Sequence, residues 1–203
     1  MARTRAPEDV RRQQILEAAF DVASREGMGG LTIRAVAAEA DLSHALVLFH
    51  FGRKDRLVHE LLDWLLASRS VLDVPENIAR LPRGLDRLHA LLQQEMTRLT
   101  REPRHTRLFL EYWALGARKE PIRVRISEEL ERYRSAFRGN IEEMIRAEPS
   151  AFAGMTADGL AAVAVSWIHG CAVQAMSDPE RFDIDEYIAA VRGLLGQLAP
   201  ATE

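Results

Sequence analysis

The sequence predicts an all-α protein with an amino-terminal three-helix head and a carboxy-terminal antiparallel helical bundle. Three observations predict this class. Apolar residues recur at the three- and four-residue spacing of amphipathic helices, for example from Leu85 to Leu99 and from Ile122 to Ile145. The eight prolines fall between such segments and never inside one, and no segment alternates with the two-residue period of a strand.

Local start and stop residues delimit the helices. Pro7, with two acidic residues after it, suits the first turn of a helix at 7–26, which a glycine-rich stretch ends. Two short helices follow at 32–39 and 43–50, and Ser43 caps the second. The later helices are separated by prolines or by a loop or short turn at 72–82, and they are predicted at 53–71, 83–102, 104–119, 121–147, 156–177 and 183–198.

Charge and cysteine content exclude several classes of protein. The 203-residue chain has a net charge of −3, so a uniformly basic nucleic-acid-binding surface is excluded and any DNA contact must come from a local patch. The single cysteine, Cys171, excludes an internal disulfide and is typical of a reducing cytosolic compartment. The amino terminus lacks the apolar run of a signal peptide, and the uncharged segment from Leu160 to Ser177 falls short of the roughly 20 residues that cross a bilayer. We therefore expect a cytoplasmic protein without a membrane span.

The segment from Thr32 to Phe51 is a helix-turn-helix candidate. It consists of a short helix, a four-residue break and a second short helix. Val36 and Val47 are expected to pack against the first helix of the chain. The opposite face of 43–50 can then enter the major groove of DNA.

The run from Arg11 to Leu57 resembles the DNA-binding domain of TetR-family transcriptional regulators. The residues that carry the resemblance follow the family's order and include ILEAAF, TIRAVAAEA and FHFGRKDRL. The resemblance implies a helix-turn-helix DNA-binding domain at 1–53. It also implies a helical ligand-binding and dimerisation domain at 54–203.

The resemblance further implies roles for individual residues. Those expected at the start of the recognition helix and along its DNA-facing side are Ser43, His44, Ala45, Leu46, Leu48 and Phe49. Those expected to hold phosphates or to add positive charge are Arg5, Thr32, Arg34 and Lys54. Helix amino termini suit phosphate binding because their free N–H groups and positive dipole ends face the anion.

Three residues depart from the family pattern. The family usually has glycine where Asp41 and Ala45 stand, and Asp41 occupies a left-handed turn position. Leu48 stands where the family commonly has a tyrosine that donates a hydrogen bond to phosphate. The recognition helix is therefore unusually apolar and is predicted to read thymine methyl groups more than hydrogen-bonding base edges. Residues 1–58 carry nine basic and eight acidic side chains, a net charge of only +1.

Residues 108–123 and 166–195 resemble the ligand-binding halves of the BetI-like branch of the same family. This resemblance implies an effector pocket within the bundle and a homodimer made by the last two long helices. The segment 160–177 agrees, because its small residues permit close packing against the core on one face and against a second subunit on another. Aromatic faces with one carboxylate suit an organic cation. The candidate pocket residues are Phe109, Glu111, Tyr112, Trp113, Phe137, Trp167 and His169, and the alternative for each of them is ordinary core.

Together these patterns predict a homodimeric, ligand-responsive DNA-binding regulator, a repressor that a small molecule releases from a pseudo-palindromic operator. The alternative is a helical protein whose head no longer reads DNA and which acts as an enzyme or a protein-binding module. His59-Glu60 lacks the second histidine of a zinc-protease motif, and the pair Asp86 and His89 has no second half-site for a di-metal bundle. We therefore expect no catalytic residue, no metal and no cofactor.

Overall fold

The computed structural model describes residues 7–67 and 74–198, and every regular element in these ranges is an α-helix. In chain order the helices are α1 (Glu8–Gly30), α2 (Ile33–Glu39), α3 (His44–Phe51), α4 (Lys54–Ala67), α5 (Glu76–Ala79), α6 (Leu85–Arg101), α7 (Pro103–Gly116), α8 (Glu120–Ala147), α9 (Ala157–Ser177) and α10 (Ile184–Leu198). The all-α prediction is confirmed. The one-turn helix α5 lies in the segment 72–82, which was predicted as a loop or short turn, and the predicted end of the fourth helix, 68–71, lies outside the described residues.

Contacts divide the chain into two compact units. Unit 1 comprises residues 1–69 and 107–125, and unit 2 comprises residues 70–106 and 126–203. Unit 1 therefore contains more than the predicted head, because α4, most of α7 and the first six residues of α8 pack with it. The predicted functional division after residue 53 depends on the sequence motif rather than on compactness, and it stays a prediction.

The core of unit 1 forms where α1 to α4 turn their apolar faces inward. Ile15 of α1, Val36 of α2, Val47 and Phe51 of α3 and Leu57 of α4 are all fully buried. Residues of this type at helical spacing remove apolar surface from water, which is the main driving force for folding. The predicted inward positions Val36 and Val47 are confirmed.

Helix α1 bends where the sequence predicted its end. Gly27 has a φ of +72°, a left-handed conformation that glycine adopts without steric cost. A Cβ atom at this position would also lie 3.4 Å from the carboxylate of Glu111. The chain after Gly27 leads into Thr32, the residue that caps α2.

The core of unit 2 is built from α6, α8, α9 and α10. Leu92, Phe137, Ile168 and Leu195 represent these four helices in one cluster of buried residues. The buried side of α9 is rich in alanine, which lets neighbouring helices approach closely. By length and composition α9 is the one helix of the described residues that could cross a membrane, and its core-facing side packs within unit 2.

Candidate DNA-binding interface

The turn between α2 and α3 sets the direction of α3. Asp41 has a φ of +52°, so the predicted left-handed position is confirmed. The N–H of Leu42 donates to the carbonyl of Ala37 over 2.9 Å, which closes the end of α2. Gln14 of α1 donates its side-chain amide to the carbonyl of Ala40 over 2.9 Å and ties the turn to the first helix.

Hydroxyl groups cap both helices of the motif. The Thr32 hydroxyl accepts the N–H of Ala35 over 3.1 Å at the start of α2, and the Ser43 hydroxyl accepts the N–H of Leu46 over 3.1 Å at the start of α3. Each cap satisfies one of the N–H groups that a helix leaves unpaired at its amino terminus. Each hydroxyl hydrogen is still available to donate to a phosphate oxygen.

Helix α3 has one buried face and one exposed face. Val47 and Phe51 are fully buried against the rest of unit 1. The exposed positions are Ser43, His44, Ala45 and Phe49, and Leu46 and Leu48 are half-buried. The predicted recognition-helix residues therefore all reach the surface, in whole or in part.

Arg12 of α1 fixes the carboxyl end of α3, a role that the sequence did not reveal. Its guanidinium donates to the carbonyl of His50 over 2.8 Å and lies 4.7 Å from the centre of the Phe51 ring. It also pairs with Glu60 of α4, which Arg56 holds from the other side over 2.8 Å. One side chain thus joins three helices of the unit by hydrogen bonds, an ion pair and a cation–π contact.

Basic residues flank the exposed face of α3 in the chain. Arg34 and Lys54 are exposed, and neither makes an ion pair with another of the described residues. Asp55, the residue after Lys54, is paired with Lys119 over 3.0 Å, and this hydrogen bond holds the pKa of the Asp55 carboxyl below its ordinary value. The neutralised carboxylate reduces repulsion toward a phosphate at the start of α4. Arg5, the remaining predicted contact, lies outside the described residues.

The segment 107–125 is joined to the head by polar contacts that the sequence did not predict. The carboxylate of Glu111 accepts the N–H of Met28 over 2.7 Å, next to the bend of α1. The Tyr112 hydroxyl donates to the carbonyl of Val58 over 2.7 Å, and burial raises the pKa of this phenol. Glu111 and Tyr112 were predicted to line an effector pocket, whereas in the structure their polar groups bond to backbone groups of α1 and α4.

The predicted pocket residues fall in both units. Phe109, Glu111, Tyr112 and Trp113 belong to unit 1, where the Phe109 and Trp113 rings meet edge to face at 5.8 Å. Phe137, Trp167 and His169 belong to unit 2. The structure therefore does not bring the seven residues together within one unit.

A buried polar cluster lies in unit 2. The carboxylate of Glu95 is 2% exposed, and it accepts hydrogen bonds from Arg98 over 2.7 Å and from the Tyr133 hydroxyl over 3.2 Å. The His169 ring lies 5.7 Å from the Tyr133 ring. Burial lowers the pKa of His169 to about 4, so this imidazole is neutral at pH 7. Within this cluster the charges of Glu95 and Arg98 are paired with each other.

A small apolar cavity lies elsewhere in unit 2, between α6, α8, α9 and α10. Its volume is about 20 Å³, and its lining includes Leu88, Ile141, Trp167 and Leu195. The cavity is small and its lining is apolar, so it offers no polar group that would orient a charged ligand.

The exposed face of α9 is poor in charge, whereas that of α10 carries Asp185, Glu186 and Arg192. The exposed positions of α9 after Gly159 are Ala162, Val163, Ser166, Val173, Gln174 and Ser177. In α10 the side chain of Leu194 is 52% exposed. Uncharged, partly apolar helix faces are typical of subunit interfaces.

Comparison with known families gives two matches along this chain. A model described as the carboxy-terminal domain of the BetI-type transcriptional repressor matches residues 84–200. A model of the bacterial regulatory proteins of the tetR family matches residues 15–61, the segment that contains α2 and α3. Together they cover most of both units.

Individual relatives agree with the family matches. An HTH-type transcriptional regulator in the dhlA 5′ region of Xanthobacter autotrophicus is 27% identical over 183 residues, which cover 87% of this chain and 85% of the relative. The HTH-type transcriptional regulator BetI of Stenotrophomonas maltophilia is 27% identical and covers 86% of this chain and 88% of its own length. The crystal structure of a transcriptional regulator from Pseudomonas aeruginosa PAO1 has the same fold, with a TM-score of 0.77, 23% identity and coverage of 95% of this chain and 94% of that chain.

Proposed function

Because the chain belongs to the TetR family of transcriptional regulators and carries the carboxy-terminal domain of BetI-type repressors, we propose that it binds a two-fold symmetric operator as a homodimer. One observation carries this proposal. Helix α3 is capped, anchored on its buried face and exposed along the face that carries Ser43, His44 and Phe49. Operator binding places the protein in the cytoplasm, where bacterial DNA is located. This function requires no catalytic site.

In the proposed complex, one set of residues contacts phosphates and another contacts bases. Thr32, Arg34 and Lys54 hold phosphates, since they stand at or near the amino termini of α2 and α4 and are exposed. Arg5 adds a further positive charge. The face of α3 made by Ser43, His44, Ala45, Leu46, Leu48 and Phe49 reads the base edges.

Dimerisation through α9 and α10 completes the proposed assembly. The uncharged exposed face of α9 and the exposed Leu194 of α10 support this interface, because burying them removes apolar surface from water. A two-fold dimer places its two α3 helices on half-sites about 34–36 Å apart, or a multiple of that spacing.

Lys54 provides a quantitative test of phosphate contact. The change Lys54→Ala is expected to lower the slope of log affinity against log salt by about 0.9 per phosphate, or about 1.8 for two heads. The measurement is a titration, at several salt concentrations, of a duplex that the wild-type protein selects from random DNA. Arg25→Ala is the matched control, because it removes the same charge from an exposed residue of α1 that is paired with Glu39 over 2.7 Å. Equal slopes for the wild type and Lys54→Ala would contradict the proposal.

We propose the effector site in unit 2, the unit that contains the predicted pocket residues Phe137, Trp167 and His169. The hypothesis of an organic cation depended on Glu111, whose carboxylate accepts the Met28 N–H in unit 1. The buried carboxylate of unit 2, Glu95, is neutralised by Arg98. These contacts favour a neutral apolar effector over a cation, because no unpaired anion of this cluster faces the ligand. An effector of either kind acts by binding one of two conformations of the protein more tightly.

A thermal-shift series checks the class of effector. We expect neutral apolar compounds to raise the melting temperature in proportion to the logarithm of their concentration, and quaternary ammonium compounds of similar size to leave it unchanged. Stabilisation by the ammonium compounds alone would restore the organic-cation hypothesis.

A further inference from the structure

One aromatic side chain of α3, Phe49, stands mostly in solvent, and its ring meets that of the neighbouring His50 edge to face at 5.2 Å. Phe49 is 70% exposed, the highest value among the large hydrophobic residues of the described ranges that stand at the surface. It points away from Val47 and Phe51, which are buried on the opposite side of the same helix. Leaving a phenyl ring in water forgoes the free energy of burying it, and a molecule that covers the ring would recover that free energy.

Ala45 extends the apolar surface of Phe49 by one turn. The two residues are four positions apart and therefore lie on the same face of the helix. Because helical side chains lean toward the amino terminus, the ring of Phe49 covers the turn that contains Ala45. The small methyl group at Ala45 lets a partner approach the helix closely at this point.

Polar side chains are scarce on this face of α3. Ser43 and His44 are its exposed polar residues, and the Ser43 oxygen already accepts the N–H of Leu46. The half-buried Leu46 and Leu48 flank the apolar face and cannot form hydrogen bonds with side-chain atoms. A base edge that offers only donors and acceptors would therefore find few partners along Ala45 and Phe49.

The charges around the face indicate what covers it. Arg34 and Lys54 are exposed in the same unit, and the amino terminus of α3 adds the positive end of a helix dipole. A polyanion with an apolar group on its exposed edge matches this combination. In the major groove of DNA that apolar group is the C5 methyl of thymine, which cytosine, adenine and guanine lack.

We propose that Phe49, supported by Ala45, reads the C5 methyl group of a thymine in each half-site of the operator. This inference rests on the proposed function and adds to it the chemical group by which the protein recognises the operator sequence. Phe49 is then a specificity-determining residue, whereas Lys54 and Arg34 supply affinity for any sequence.

Deoxyuridine substitution isolates the methyl group. The wild-type protein first selects a duplex from a random pool, and each thymine of that duplex is then replaced in turn by deoxyuridine, which keeps the base pair and removes only the methyl. One thymine per half-site should lose about fourfold in affinity, and the symmetric pair about fifteenfold, from the loss of one buried carbon at each site. In Phe49→Ala the same replacements should change the affinity less than twofold.

Controls separate this inference from the function it rests on. Val124→Ala truncates an exposed apolar residue of the same unit and should keep the full deoxyuridine effect. Circular dichroism checks that Phe49→Ala is folded. A selected duplex with no deoxyuridine-sensitive thymine, or a sensitivity that persists in Phe49→Ala, overturns the role of Phe49 and leaves DNA binding intact. Failure of the wild type to select any duplex overturns both, and it would point to a protein partner for the apolar face.

Discussion

Replacing Phe51 with alanine is expected to lower the free energy of unfolding by about 3–5 kcal/mol. The ring is fully buried, lies under the guanidinium of Arg12 and packs on the inner face of α3. Its removal leaves a cavity in the centre of unit 1 that helices held together by Arg12 can close only in part. Urea denaturation followed by circular dichroism measures the change.

Phe49→Ala is the matched control, because it makes the same chemical change two residues away on the same helix. Phe49 is 70% exposed and its ring contacts that of the neighbouring His50 at the surface, so its replacement should change the free energy of unfolding by less than about 0.5 kcal/mol. The pair tests the orientation of α3 about its own axis. Equal losses in the two variants, or a larger loss in Phe49→Ala, would show that the helix presents a different face to the core.

Replacing Arg98 with alanine is expected to cost about 3–5 kcal/mol of stability, because it leaves the carboxylate of Glu95 buried without its cation. The remaining partner of that carboxylate in the cluster is the neutral Tyr133 hydroxyl, at 3.2 Å. Replacing both members of the pair, as in Glu95→Gln with Arg98→Met, should recover most of the loss, since no charge is then stranded. The measurement is the midpoint of chemical denaturation in each variant.

Arg146→Ala is the comparison for an exposed pair in the same unit. Arg146 pairs with Glu143 at the same three-residue spacing, and both side chains are exposed to solvent. Its removal should cost less than about 0.5 kcal/mol. A cost for Arg98→Ala as small as that for Arg146→Ala would mean that water reaches Glu95.

Local signals explain why the helices and the turn could be predicted from the sequence. Ser43 and Thr32 cap their helices through N–H groups three residues away, and Asp41 takes the left-handed turn that its side chain tolerates. These contacts involve neighbours in the chain. A few adjacent residues therefore suffice to predict them. The predicted starts of α2 and α3 are within one residue of the observed starts.

Long-range contacts explain what could not be predicted. Glu111 and Met28 are 83 residues apart, and Tyr112 and Val58 are 54 residues apart. The sequence around a glutamate beside aromatic residues does not distinguish a carboxylate that lines a pocket from one that accepts a backbone N–H. Arg12 looks like any surface arginine of an amphipathic helix until the fold brings His50 and Glu60 to it.

Selection of bound sequences from random duplex DNA, at roughly 150 mM salt where the screening length is about 8 Å, tests whether this chain reads an operator as a homodimer. We expect a two-fold symmetric site whose half-sites lie about 34–36 Å apart, or a multiple of that spacing, and weaker binding by His44→Ala at the exposed start of α3. No enriched sequence, or an enriched site without two-fold symmetry, would contradict the claim that this chain reads an operator as a homodimer.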